Sequence, residues 1–94
     1  MSMFTTRIEL HDATWDDYER LHGAMQKAGF SRLITSDDNS KWHMPWAEYD
    51  VVGTYTLDQI FTAASNAAST VGKKFALLVS QAVSRRWSGL QKAS

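Results

Sequence analysis

Three histidines, His11, His22 and His43, are the side chains best suited to move protons near neutral pH. A metal or nucleophilic site needs ligands that converge, and no two of these show a ligand spacing such as His-x3-His. His22 follows Arg20 by two residues, so an imidazole general base could work beside a guanidinium that holds a phosphate. The plainer reading makes His22 a residue at the boundary of a helix's apolar stripe. Asp12, next to His11 and near Glu9, could hold a metal or orient a nucleophile, which makes a metal-dependent nuclease the third-ranked reading, and it is a turn residue after a strand on the plainer one. Asp37 and Asp38 read as turn residues.

Cations gather in three places: Arg32 with Lys41, Lys73 with Lys74, and Arg85 with Arg86. Trp42, Trp46 and Trp87 lie close to two of them. Rings that stack on bases beside cations that neutralise phosphates are what single-stranded RNA needs. The candidate RNA-binding residues are therefore Arg32, Trp42, Lys73, Lys74, Arg85, Arg86 and Trp87. On the bland alternative the lysines flank a buried strand as gatekeepers and the tryptophans fill a core or an interface. Four tryptophans are many for the core of a 94-residue chain, which favours binding.

Other chemistries are excluded. There is no Gly-rich phosphate loop and no Gly-x-Ser-x-Gly elbow. With no cysteine, disulfides, thiolate catalysis and thiolate metal sites are ruled out. Ten basic and ten acidic residues give a formal net charge of zero, unlike a nucleic-acid coat or a polybasic membrane binder. The outer faces of the first and third strands would offer Arg7, Glu9, Glu48 and Asp50, not the aromatics of an RNA-recognition motif.

These residues need a scaffold, and the periodicity supplies one. Residues 4–11 alternate, with Ile8 and Leu10 facing one way, as in a half-buried strand. Thr14 caps a helix over about 15–28 whose first turn is acidic and whose stripe is Tyr18, Leu21, Met25 and Ala28. Gly29 and Phe30 supply its left-handed stop and hydrophobic return. Arg32 to Thr35 reads as a second strand, followed by the turn cluster Asp37 to Ser40. Lys41 to Trp46 could continue a hairpin, but Pro45 cannot donate to a ladder and marks a bulge or loop. Ala47, Tyr49 and Val51 then alternate as a third strand. Thr56-Leu57-Asp58-Gln59 is a capping box opening a helix with the stripe Leu57, Ile60, Phe61, Ala64, Ala67, Ala68 and Val71. Phe75 to Val79 is a nearly all-apolar strand.

The predicted fold class is α+β. One apolar face per helix makes the economical packing a ferredoxin-like βαββαβ sandwich, two helices on one face of a four-stranded antiparallel sheet. All 94 residues form one domain, core about 3–80, with 81–94 as a C-terminal arm or short fifth strand. Trp87 and Leu90 give that arm an apolar anchor, and a homodimer is expected through it or through a sheet edge. The opening residues lack the apolar core of a signal peptide and no run of about 18 apolar residues occurs, so a cytoplasmic location away from membranes is expected.

Asp17-Tyr18-Glu19-Arg20-Leu21-His22, Met25, Gly29 to Ile34, Ala47-Glu48-Tyr49 and the capped second helix resemble the GhoS family over roughly residues 3 to 80. That resemblance implies a ferredoxin-like fold related to the small nucleases of CRISPR adaptation. It also implies an endoribonuclease antitoxin of a type V toxin–antitoxin pair, acting on the messenger of a membrane-lytic toxin. By this alignment Arg20 matches the first of two helix arginines, and His22 stands in place of the second. The expected function is a GhoS-like antitoxin that binds single-stranded RNA, with cleavage left open. A metal- and cofactor-free cleavage would use the 2′-hydroxyl as nucleophile. His22 or His43 would take its proton, and Arg20, Arg32 or Arg86 would stabilise charge on the phosphate. DNA is not an expected partner. The alternative is a non-catalytic protein-interaction module of phage or host-defence origin.

Overall fold

A computed structural model describes residues 2–93. The elements in chain order are β1 (Ser2–Leu10), α1 (Trp15–Lys27), β2 (Leu33–Thr35), β3 (Lys41–His43), β4 (Glu48–Gly53), α2 (Leu57–Ser69) and β5 (Phe75–Ala82). Strand and helix boundaries follow local chemistry. At the start of α1 the Asp17 amide donates to the Thr14 hydroxyl (3.3 Å) and the Thr14 amide to the Asp17 carboxylate (2.9 Å), satisfying two groups the helix leaves free. Thr56 and Gln59 repeat this reciprocal pair at α2. α1 ends as its sequence demands. Gly29 adopts φ 96°, its amide reaches the Gln26 carbonyl (3.0 Å) and the Phe30 amide the Met25 carbonyl (2.9 Å), the paired bonds of a Schellman stop.

β1 is the central strand of an antiparallel sheet in the order β4-β1-β5. Phe4, Ile8 and Leu10 of β1 and Tyr49 of β4 bury one face of it beneath both helices, against Leu21, Met25, Ile60 and Ala64. Thr6 lies among them, fully buried. Thr5 and Asp50 pair across the opposite face, where residues after β5 cross the sheet and Arg85 reaches both.

The expected four-stranded sheet is corrected to three strands. β2 pairs instead with β3 in a separate two-stranded ribbon, and only the Ser31–Asp50 bridge joins that region to β4. The reason is the short path from β3 to β4. It runs through Pro45, which cannot donate, and Ala47, held at φ 60°, so the ribbon parts from the sheet after one bridge. The short turn Ser36 to Ser40, with Asn39 at φ 67°, closes the ribbon at small entropic cost. The C-terminal strand shrinks to one bridge, Trp42 with Lys92, flanked by bonds from His43 to Gln91 and from Ala93 to Lys41.

The α2 stripe needs a second correction. Ile60, Ala64 and Ala68 are buried, but Leu57 and Phe61 at its edge remain 42% and 48% exposed. Among the described residues no helix is long and apolar enough to cross a membrane.

Candidate functional site

Trp15, Tyr18 and His22 are spaced by three and four residues, so they share one flank of α1. That flank meets the β3–β4 connection. There Glu48 donates its amide to the Pro45 carbonyl (3.0 Å), and Ala47 takes the left-handed conformation. A non-glycine residue pays about 1 kcal/mol or more for that geometry, and here it turns Trp46 back onto the helix. The Ala47 carbonyl, accepting from the Ile8 amide (3.1 Å), fixes the turn to β1.

Trp46 is the hub of the cluster. Trp15 stacks on it with centroids 4.8 Å apart, Tyr18 lies tilted at 5.5 Å, and His22 stands at right angles at 4.9 Å. The Arg32 guanidinium sits 5.8 Å from the Trp46 centroid, within cation–π range. Trp15 is 67% exposed and Trp46 46%. The result is a shelf of stacked indoles open to solvent, with one cation beside it.

Beneath the shelf lies a sealed polar pair. The Tyr49 hydroxyl is 2.7 Å from His22 Nδ1, both residues buried. Burial pushes the Tyr49 pKa well above its usual value, so the hydroxyl keeps its proton, and either group can donate in this bond according to the imidazole tautomer. Burial first, then the charge of Arg32, hold His22 below its ordinary pKa, against the opposing pull of Glu19. The ring is therefore neutral near pH 7. Its Nε2 is buried without a hydrogen-bond partner among the described residues.

The other sequence candidates are dispersed. Arg20 points away from His22 on α1. It donates to the Val71 carbonyl (3.1 Å) at the end of α2 and pairs with Asp17. Lys73 joins it, 3.7 Å from Asp17 and 3.2 Å from the Asp12 carbonyl. The Thr14 amide, then Arg20, lower the Asp17 pKa to about 2. His43 is exposed on β3, remote in hydrogen bonding from His22. Trp42 is half-buried and its indole donates to the Ser40 hydroxyl (3.0 Å). Lys74 is exposed, and its carbonyl accepts from His11. Arg85 is bound to Asp50 at 2.6 Å. Arg86 and Trp87 line a cleft with Met3, Thr35 and Asp37 on the opposite face. Asp12 is exposed at φ 51°. His11 approaches Glu9 at 4.0 Å, but no three His, Asp or Glu side chains converge among the described residues.

The structure thus brings His22 and Arg32 together and separates both from Arg20. The sequence reading missed Trp15, Tyr18 and Tyr49 as members of the cluster. The spacing of Trp15, Tyr18 and His22 carried a signal, but the apolar stripe through Tyr18, Leu21 and Met25 absorbed the tyrosine. No model of a known protein family matches the chain, and no curated protein does.

Proposed function

We propose that this chain is a single-stranded RNA-binding domain whose contact surface is the Trp15–Trp46 shelf with Arg32. The observation that carries this reading is the exposed indole stack beside a guanidinium, since bases stack on such rings whatever their sequence. Its fold is read as ferredoxin-like, with Ser31 to Thr35 as a fourth strand attached to β4 at one bridge. The stacking role passes from Trp42, whose indole is engaged within its own ribbon, to Trp46. A GhoS-like antitoxin role follows from the sequence resemblance, and the messenger of a small toxin is its natural target.

Binding, not cleavage, is what the arrangement supports. His22 Nδ1 is engaged by the Tyr49 hydroxyl and Nε2 is buried beside Trp46, so neither nitrogen is open to a 2′-hydroxyl. With Asp16 and Glu19 on the same helix, affinity comes mainly from stacking and depends weakly on salt.

A labelled uridine-rich oligonucleotide, titrated at two salt concentrations, tests this. Trp46→Ala is expected to cost about 1–3 kcal/mol of affinity, Trp42→Ala much less, and the salt slope should be about 0.7 for each phosphate neutralised. Absence of binding at low salt refutes the RNA reading. It favours the protein-interaction module, because exposed Trp and Arg also anchor protein interfaces.

A further inference from the structure

β5 is the one long strand of the main sheet whose outer edge has no partner among the described residues. Across the sheet, β4 is bridged by Ser31, and β3 is bridged by Lys92. β5 pairs with β1 alone, over eight residues from Phe75 to Ala82. That span contains no charge, no proline and no bulge-forming glycine, none of the devices by which natural edges repel a second strand. Leu78 is 61% exposed on one side of it. On the other side Phe75, Leu77 and Val79 are only half-buried.

The helix above the edge is apolar on the same flank. Ala63, Asn66, Ala67 and Thr70 line the groove between α2 and α1, and Ile60, Ala64 and Ala68 face the core. At 100° per residue Phe61 falls on the far side of the core-facing stripe from Ala63, Asn66 and Thr70, while Leu57 falls within the stripe at the first residue of α2. α2 packs chiefly on β5 and α1 does not, so that flank overlooks the free edge. This placement accounts for the exposure of Phe61, and Leu57 is exposed where α2 begins.

We propose that this edge is the interface of a homodimer, in which β5 pairs antiparallel with β5 of a second copy about a two-fold axis near Leu78. An open ladder of amides and carbonyls requires a strand as its partner. A strand with charged side chains would bring them unpaired against Phe61, Leu57 and Leu78. β5 itself is uncharged, self-complementary under a two-fold axis, and carried by a chain of zero net charge, so no repulsion opposes the pairing. Each copy's Phe61 and Leu57 would then close over the neighbouring β5, joining two three-stranded sheets into one of six.

Sedimentation velocity on the full chain across the micromolar range tests this, together with Leu78→Lys and Leu78→Glu. The wild type is expected at twice the monomer mass, and each variant alone as monomer, since like charges meet near the axis. An equimolar mixture of the two variants should regain dimer, a rescue that a misfolded protein would not show. A monomeric wild type, dimers in both single variants, or no dimer in the mixture overturns the proposal. Hydrogen exchange on the wild type gives a readout free of mutation. Protection of the β5 amides should rise with protein concentration, and concentration-independent exchange there also overturns it.

Discussion

Replacing Arg85 by Met should destabilise the domain by ~3 kcal/mol, far more than a surface cation would cost. The Arg85 guanidinium lies 2.6 Å from the Asp50 carboxylate and 3.1 Å from the Thr5 hydroxyl. Both charged side chains are largely covered, at 15% and 10% exposure. An exposed pair contributes about 0.2–1 kcal/mol. Removing one member of a buried pair costs about 3–5 kcal/mol, because the other is left charged and dry. The residual exposure of Arg85 sets the expectation at the lower end. Asp50 is also where the ribbon joins the sheet, through bonds of 2.7 and 2.8 Å with Ser31, so the Ser31 amide should exchange faster in the variant. Urea titration followed by far-ultraviolet circular dichroism measures the change, with Asp50→Asn and the double variant completing a cycle. The double variant should cost at least about 1 kcal/mol less than the sum of the singles. A chain ending at Ser84 should lose at least that much, since it loses the same guanidinium and the bonds of Gln91 to Ala93 with β3. A cost below about 1 kcal/mol for Arg85→Met, or additive singles, refutes the reasoning that the arm is clamped by a buried ion pair.

Two further outcomes follow from buried polar groups. Thr6 is fully buried and its hydroxyl has no partner, so the isosteric Thr6→Val should raise stability by about 1 kcal/mol; a lower urea midpoint contradicts this. His22 has a folded pKa below its ordinary 6.5, so its unfolded form binds the proton more readily. Stability is therefore full above about pH 6.5 and declines as pH falls towards the depressed folded value. His22→Gln should flatten the pH dependence of the urea midpoint between pH 7.5 and pH 5 relative to wild type, and an unchanged slope counts against a buried neutral imidazole.

The sequence by itself determined the two helices, the Thr14 cap of α1 and the capping box of α2, the glycine stop after α1 and the strands β1, β4 and β5. Each of these is a local matter, settled by side chains within about four residues of one another or by simple alternation. Tertiary structure alone decided which strands pair. Ser31 to Thr35 carries an ordinary strand pattern, and nothing within it tells whether β4 or β3 is its neighbour; the geometry of Pro45 and Ala47 settles that. It likewise decided that Phe61, apolar and next to the buried Ile60, stays about half exposed instead of joining the core. The candidate site shows the same division. Arg20 and His22 look like partners at two residues' separation, yet a helix turns them to opposite sides. His22 instead meets Tyr49, 27 residues away, and Arg85 meets Asp50, 35 away. Pairings of that range leave no periodic trace in a sequence, because they are made by the packing of α1 and the arm on opposite faces of one sheet.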